Sequence, residues 1–156
     1  MRLTDILRPD CVKVPLAATA KQDAIFELVD LLVACGAVTA REEMCQAVWQ
    51  REQTRTTGIG HGVAIPHGKV VGCKALTLAI GKTAQPIEFA AIDNRPVELI
   101  FLLASPVDQT GPHIQALAGI SRMLFDPTFR AAVRAAQSSE DLYKLIVAHE
   151  TNPAAV

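Results

Sequence analysis

The feature that most constrains the fold is a continuous apolar run from Leu99 to Ala104, which overlaps a strand predicted over Val97 to Leu103. A strand with one face in water alternates apolar and polar side chains, whereas this run has no polar position. We therefore expect other elements to cover both of its faces. A second strand is predicted over Ala75 to Ile80, and helical patterns precede and follow these strands. The sequence thus predicts an α/β fold, with a mixed, mostly buried central sheet and helices on both faces in a three-layer α/β/α arrangement.

The first two helices are predicted from apolar spacing and from signals at their ends. Thr19 and Gln22 have the spacing of a capping box, and Gly36 supplies a C-terminal stop. Thr39 and Glu42 form a second such pair before a helix that is apolar at Met44, Cys45, Val48 and Trp49.

Three more helices are predicted in the last third of the chain. Pro112 suits the first turn of one helix, Asp126 and Pro127 cap the next, and Ser138 opens the last with Asp141. The first of these should bury an apolar stripe, which consists of Ile114, Leu117, Ile120, Met123 and Leu124. Leu142, Leu145, Ile146 and Val147 should form the apolar face of the last helix. We expect the few residues after His149 to be disordered.

Length and charge limit the classes of protein that fit. The 156 residues, half of them hydrophobic, suit a single domain over residues 1–156. With 15 basic and 16 acidic residues, the net charge of −1 predicts no general attraction to nucleic acid or anionic lipid. Apolar runs are far shorter than the roughly 20 residues of a membrane span, and charged residues interrupt the N-terminus, unlike in a signal peptide. We therefore expect a cytoplasmic protein without membrane insertion.

The cysteines show neither zinc-type nor redox-type spacing. Cys11, Cys35, Cys45 and Cys73 are dispersed among apolar neighbours without a C-x-x-C pair. We expect buried, reduced thiols.

The most unusual stretch is the glycine segment, which we define as residues 57–68, TGIGHGVAIPHG. Its glycines and proline preclude an ordinary helix and predict a shaped loop around a short strand, Val63 to Ile65. His67 lies between Pro66 and Gly68, where the backbone is constrained before it and open after it. A neutral imidazole can attack phosphorus at neutral pH, and N–H groups of glycines such as Gly60 and Gly62 can approach a phosphoryl group closely. A loop histidine that is merely hydrogen-bonded fits the same motif, so the motif alone leaves both interpretations open.

Other chemistries find less support in the residues. The segment lacks the Gly-Lys-Ser/Thr ending of a nucleotide-binding loop, and the chain has no G-x-S-x-G motif of serine hydrolases. A metal site built from His61, His67 and His113 is a rival, but no Cys or carboxylate is spaced as a further ligand. We predict no metal and no cofactor.

The glycine segment resembles the active-site segment of enzyme IIA proteins of the fructose and mannitol class in the bacterial phosphotransferase system. Residues 91–101, AIDNRPVELIF, and residues 135–143, AAQSSEDLY, are similar to the nitrogen-related (IIA-Ntr) branch of that family. The resemblance covers nearly the whole chain. It implies a single type-2 enzyme IIA domain. His61 departs from the branch, which typically has Asn there.

The resemblance also implies roles for individual residues. His67 matches the phosphorylated histidine, which receives its phosphoryl group from a histidine-phosphorylated carrier similar to HPr. His113 matches the second active-site histidine, and Arg51 matches an arginine of the family's pocket. With Gly60 and Gly62, these two residues are expected to stabilise the phosphoryl charge.

Two functions follow from the resemblance. As a regulator, the protein would bind target proteins according to its phosphorylation state, in a branch associated with nitrogen and potassium metabolism. As a sugar-specific enzyme IIA, it would relay phosphate to the IIB domain of a transporter. We favour the regulator, and the target cannot be read from the sequence.

Overall fold

A six-stranded mixed sheet forms the centre of the computed structural model, which describes residues 1–151. A short 3-10 helix, Leu3–Asp5, precedes the first strand. The strands are β1 (Leu7–Leu16), β2 (Gly58–Gly60), β3 (Val63–Ala64), β4 (His67–Lys69), β5 (Thr77–Ile87) and β6 (Val97–Ser105). The helices are α1 (Lys21–Ala34), α2 (Arg41–Thr54), α3 (Thr110–Phe125), α4 (Pro127–Ala135) and α5 (Ser139–Thr151).

The strand order is β1-β5-β6-β3-β2, with β4 also paired to β6. β6 runs antiparallel to β5 and parallel to β3 and β4, whereas β2 and β3 form an antiparallel pair. All residues from Leu99 to Ser105 are buried, as the apolar run predicted.

Helices cover both faces of the sheet, and β4 shows this directly. Side chains alternate between the two faces of a strand. A Cβ atom at Gly68 would lie 2.9 Å from the Val48 side chain of α2, while the neighbouring Lys69 reaches Thr110 of α3 with an Nζ to Oγ1 distance of 3.2 Å. α2 and α3 therefore lie on opposite faces. α1 packs against α2, and α5 packs against β1 and α4, so the predicted three-layer α/β/α fold is confirmed.

The two predicted capping boxes of α1 and α2 are wrong. The N-caps are Ala20 and Ala40, and neither helix has a side-chain cap. Thr39 instead donates its hydroxyl and its backbone N–H to the Gly72 carbonyl, so it holds a neighbouring loop. The predicted caps of the last two helices are confirmed. Asp126 accepts from the Thr128 N–H, and the Ser138 hydroxyl accepts from the Asp141 N–H.

The sequence pattern missed β1 because its apolar side chains do not alternate regularly. Leu7, Cys11, Val12 and Leu16 are buried, but two register shifts against β5 interrupt the two-residue period. β5 also extends seven residues beyond the predicted end at Ile80, to Ile87.

Three expectations about exposure and order need correction. Ile114 and Val147, predicted as apolar-face residues, are 59% and 37% exposed. α5 continues past His149, and Glu150 accepts N–H groups of Leu3 and Thr4, which ties the end of the helix to the start of the chain. The expected disorder of the last residues concerns 152–156, which lie outside the described residues.

The four cysteines are free thiols, three of them buried and Cys35 partly exposed. Among residues 1–151, no helix is both long enough and apolar enough to cross a membrane.

Candidate functional site

His67 lies in an open cavity of about 540 Å³ at the edge of the sheet. α2 contributes Arg51 to its lining, β4 contributes His67 and Lys69, and α3 contributes His113. The fold thus brings together three of the predicted site residues, which are separated by up to 62 positions in the sequence (113 − 51).

The ring of His67 is fixed by its own loop. Its Nδ1 lies 2.9 Å from the carbonyl oxygen of Ile65. A carbonyl oxygen can only accept a hydrogen bond, so Nδ1 carries the proton and Nε2 keeps a free lone pair. Burial lowers the pKa of His67 below its ordinary value of 6.5, and the charges of Arg51 and Lys69 lower it further, against the opposing effect of the Ile65 hydrogen bond. His67 is therefore a neutral imidazole at pH 7, with a nucleophilic Nε2.

His113 lies beside His67 near the N-terminal end of α3. The two ring centroids are 5.5 Å apart with an interplanar angle of 64°. His113 is only 3% exposed, and its Nδ1 is 2.7 Å from the hydroxyl oxygen of Ser105. Burial, followed by electrostatic interaction with the titratable ring of His67 and with the charge of Lys69, lowers the pKa of His113 to about 4. The cavity therefore holds two neutral histidines side by side at pH 7.

Arg51 lies in the last turn of α2. Its Nη1 donates to the carbonyl oxygen of Arg55 at 2.7 Å, which satisfies one acceptor at the end of the helix. A guanidinium has five N–H donors, so the remaining ones are available to an anion in the cavity.

Gly60 and Gly62, which were predicted to lie beside the phosphoryl group, are not among the residues that line this cavity. They have positive φ angles of 97° and 78°; Gly60 is the last residue of β2 and Gly62 lies in the turn to β3. A Cβ atom at Gly60 would lie 3.3 Å from the carboxylate of Asp93, and the Gly62 carbonyl accepts N–H groups from Glu98 and Leu99. Both glycines therefore shape the corner of the sheet. The glycine that lines the cavity is Gly68.

His61 is also separate from the cavity. It has a φ of 58°, is exposed, and donates its backbone N–H to Asp93 at 3.0 Å. It lines a different pocket, with Ile59 and Phe125. Nowhere in residues 1–151 do three His, Cys, Asp or Glu side chains come close enough to share a metal ion.

The backbone of β4 adds two donors that the sequence pattern did not reveal. Pro66 accepts from the Leu103 N–H, and Val70 donates to the Ser105 carbonyl, so alternate residues of this segment bond to β6. The N–H groups of His67 and Lys69 therefore point away from β6, to an edge where no strand of the described chain pairs with β4.

Two side chains of the site were also missed from the sequence. Lys69 directly follows the glycine segment, and its charge could have been noticed there. Ser105 ends the buried strand eight residues before His113, and only the fold reveals their contact.

Comparison with known proteins places the chain in a family. Residues 5–149 match the family model described as "Phosphoenolpyruvate-dependent sugar phosphotransferase system, EIIA 2". A nitrogen regulatory protein of Escherichia coli K12 is 36% identical over 98% of this chain and 94% of its own length. A fructose-specific EIIABC component of Bacillus subtilis is 27% identical over 96% of this chain but only 24% of its own length.

Solved structures show the same fold. The crystal structure of nitrogen regulatory protein IIA-Ntr from Neisseria meningitidis superposes with a TM-score of 0.84 at 29% identity, covering 91% of this chain and 97% of that one. Mannitol IIA of Escherichia coli gives a TM-score of 0.75 at 21% identity, covering 89% and 97%. The family match extends from before β1 into α5 and includes every residue that lines the His67 cavity. The chain therefore belongs to the type-2 enzyme IIA family of the phosphoenolpyruvate-dependent sugar phosphotransferase system.

Proposed function

We propose that this protein is a histidine phosphoryl carrier, in which Nε2 of His67 accepts a phosphoryl group from an HPr-like phosphohistidine protein. One observation carries the proposal. The Ile65 carbonyl holds the proton of His67 on Nδ1, which leaves the Nε2 lone pair free in a ring that borders an open cavity. A ring nitrogen that attacks phosphorus needs an unprotonated lone pair with access to the phosphoryl donor.

The transfer balances without a cofactor. The Nε2 lone pair forms the new N–P bond while the N–P bond to the donor imidazole breaks and returns its electron pair to that ring. His67 becomes a phosphorylated imidazolium, and its Nδ1–H remains bonded to Ile65. The donor ring and His67 would flank the moving phosphoryl group in line, so the protein mainly positions it and stabilises its charge.

The groups around His67 suit a dianion. Arg51 and Lys69 supply positive charge, and His113 supplies a ring N–H. The N–H groups of His67 and Lys69 at the open edge of β4 are further donors. We expect these groups to hold the phosphoryl oxygens after transfer.

We further propose that the main output is regulation in the cytoplasm. The support is similarity along nearly the whole chain to proteins named nitrogen regulatory protein. Phosphorylation adds about 1.5 to 2 negative charges at His67, enough to admit or exclude a partner that meets this surface. Targets in nitrogen or potassium metabolism fit the branch that the sequence resembles.

A sugar relay is the second candidate, because the chain also matches part of a fructose-specific EIIABC component. Affinity capture with unmodified and phosphorylated protein separates the two. A regulator captures a partner in only one state, whereas a sugar relay transfers its label to a IIB domain.

The carrier function is tested with a ³²P-labelled HPr-like donor. Wild type should acquire acid-labile, base-stable label, and His67→Ala should acquire none. His61→Asn is the matched control, because it removes the other histidine of the glycine segment and Asn tolerates the positive φ. It should label like wild type. Label on His67→Ala would refute the site.

A further inference from the structure

We infer that Ser105 is a positioning residue, which holds His113 in the tautomer whose Nε2–H serves as a donor to the phosphoryl group. The inference rests on the proposed carrier function. Among the described residues no hydrogen bond links the Ser105 side chain to His67, and Ser105 acts through His113.

The contact itself allows two proton arrangements. The Ser105 hydroxyl oxygen and His113 Nδ1 are 2.7 Å apart, and each group can donate or accept. In the first arrangement, the Ser105 O–H donates to Nδ1 and His113 carries its proton on Nε2. In the second, Nδ1–H donates to Ser105 and Nε2 has only a lone pair.

Burial decides between them. Ser105 is completely buried, and its hydroxyl makes no other hydrogen bond among the described residues. In the second arrangement, the hydroxyl proton would therefore have no acceptor, and an unsatisfied buried donor is costly. In the first arrangement, the hydroxyl and Nδ1 satisfy each other. The Nε2–H remains for the cavity that His113 lines.

The tautomer matters because His113 is neutral, and only a neutral ring depends on its tautomer for an Nε2–H donor. A protonated histidine would donate from both nitrogens whatever Ser105 does. His113 is neutral at pH 7, however, because burial and the nearby charge of Lys69 disfavour its protonation. A neutral ring presents either a donor or a lone pair to its neighbour, and a lone pair would repel phosphoryl oxygens.

The other groups that face His113 do not fix its tautomer. Ser105 comes from β6, His67 and Lys69 from β4, and Leu117 from its own helix. Lys69 directs its Nζ to Thr110, and the Nδ1–H of His67 is committed to Ile65. Within residues 1–151, Ser105 is thus the group bonded to the His113 ring.

Ring ¹⁵N NMR and phosphoryl transfer test the inference together at pH 7. In wild type, His113 should show an unprotonated Nδ1 and a protonated Nε2. In Ser105→Ala, part or all of the proton should move to Nδ1, and labelling by an HPr-like donor should slow by about 10- to 100-fold, as when a partner that fixes a histidine tautomer is removed. Ser105→Thr keeps the hydroxyl and should restore both the tautomer and most of the rate.

Thr83→Val is the control for losing a buried strand hydroxyl, since Thr83 lies on β5 and bonds to the Glu98 carbonyl. It should change neither the His113 shifts nor labelling. A wild-type proton on Nδ1, or Ser105→Ala with unchanged tautomer and rate, would overturn the inference. If wild type itself takes no label, the carrier function fails and the role of the tautomer fails with it. The ¹⁵N chemical shifts of the His113 ring report its hydrogen bond to Ser105 whether or not the protein accepts label.

Discussion

The glycine segment has two halves that lie at different places in the molecule. Its first half, residues 58–64, forms the β2-β3 hairpin, where Gly60 and Gly62 adopt positive φ angles and His61 is exposed. Its second half enters β4, where His67 borders the cavity between α2 and α3. One continuous motif therefore contains both a tight hairpin and part of the candidate functional site.

The difference lies in what each half bonds to. The hairpin is tied to the sheet and to Asp93 through its backbone. In β4, the groups of His67 that face the cavity are left open, and only Nδ1 is bonded. Glycines beside a candidate nucleophile do not by themselves indicate an anion site. Whether a residue can bind an anion depends on where its backbone N–H group points.

After His67→Ala, the largest effect is expected from a variant in the cavity that the second half of the segment borders. His113→Ala should slow acceptance of the phosphoryl group by roughly 10²- to 10³-fold, because one preorganised donor is lost. Rates of labelling from an HPr-like donor measure this, with circular dichroism to check folding. A variant that labels at the wild-type rate would show that the cavity has no need of its second histidine.

The pH dependence of folding should also depend on the cavity. His113 binds a proton in the unfolded chain near pH 6.5 but in the folded protein only near pH 4, so the unfolded state holds more protons between these values. The protein should therefore lose stability as pH falls from 6.5 towards 4, by up to about 3 kcal/mol from this group. His67, whose pKa is also lowered, should add to the loss.

Urea unfolding at several pH values measures this loss. His113→Gln, which cannot titrate, should lose less stability than wild type between pH 6.5 and 4. Equal slopes for the two proteins would contradict a neutral, buried His113.

The smallest effect should come from the structural half. Gly62→Ala should cost about 1 to 2 kcal/mol of folding stability, because alanine is strained at a φ of 78°. Labelling of the folded variant should be unchanged. A large loss of labelling without a loss of stability would mean that the hairpin contributes to the site after all.

Much of the fold could be predicted from local pattern. The unbroken apolar run of β6 predicts a doubly covered strand, and the side-chain caps at Asp126 and Ser138 mark the starts of α4 and α5. β1 was missed because its register shifts disturb the alternation on which strand prediction depends. The caps of α1 and α2 were misassigned because a threonine before a helix can equally bond to a distant loop, as Thr39 does with Gly72.

The site residues were predicted mainly through the family resemblance, because the glycine segment alone left the role of His67 open. His67, His113 and Arg51 do line one cavity, whereas their roles stay predictions. Lys69, Ser105 and the open N–H groups of β4 depend on strand pairing and on which face each residue takes. Such long-range facts are not encoded in any short motif, and for the same reason the sequence did not reveal that Gly60 and Gly62 lie outside the lining of this cavity.

The most direct test is to locate the phosphoryl group on the phosphorylated protein by ³¹P and ¹⁵N NMR. A protein whose His67 Nδ1–H is held by the Ile65 carbonyl should show phosphorus coupled to Nε2 of His67. Phosphorus bonded to Nδ1 of His67, or to any other residue, would contradict the assignment of Nε2 of His67 as the phosphoryl acceptor.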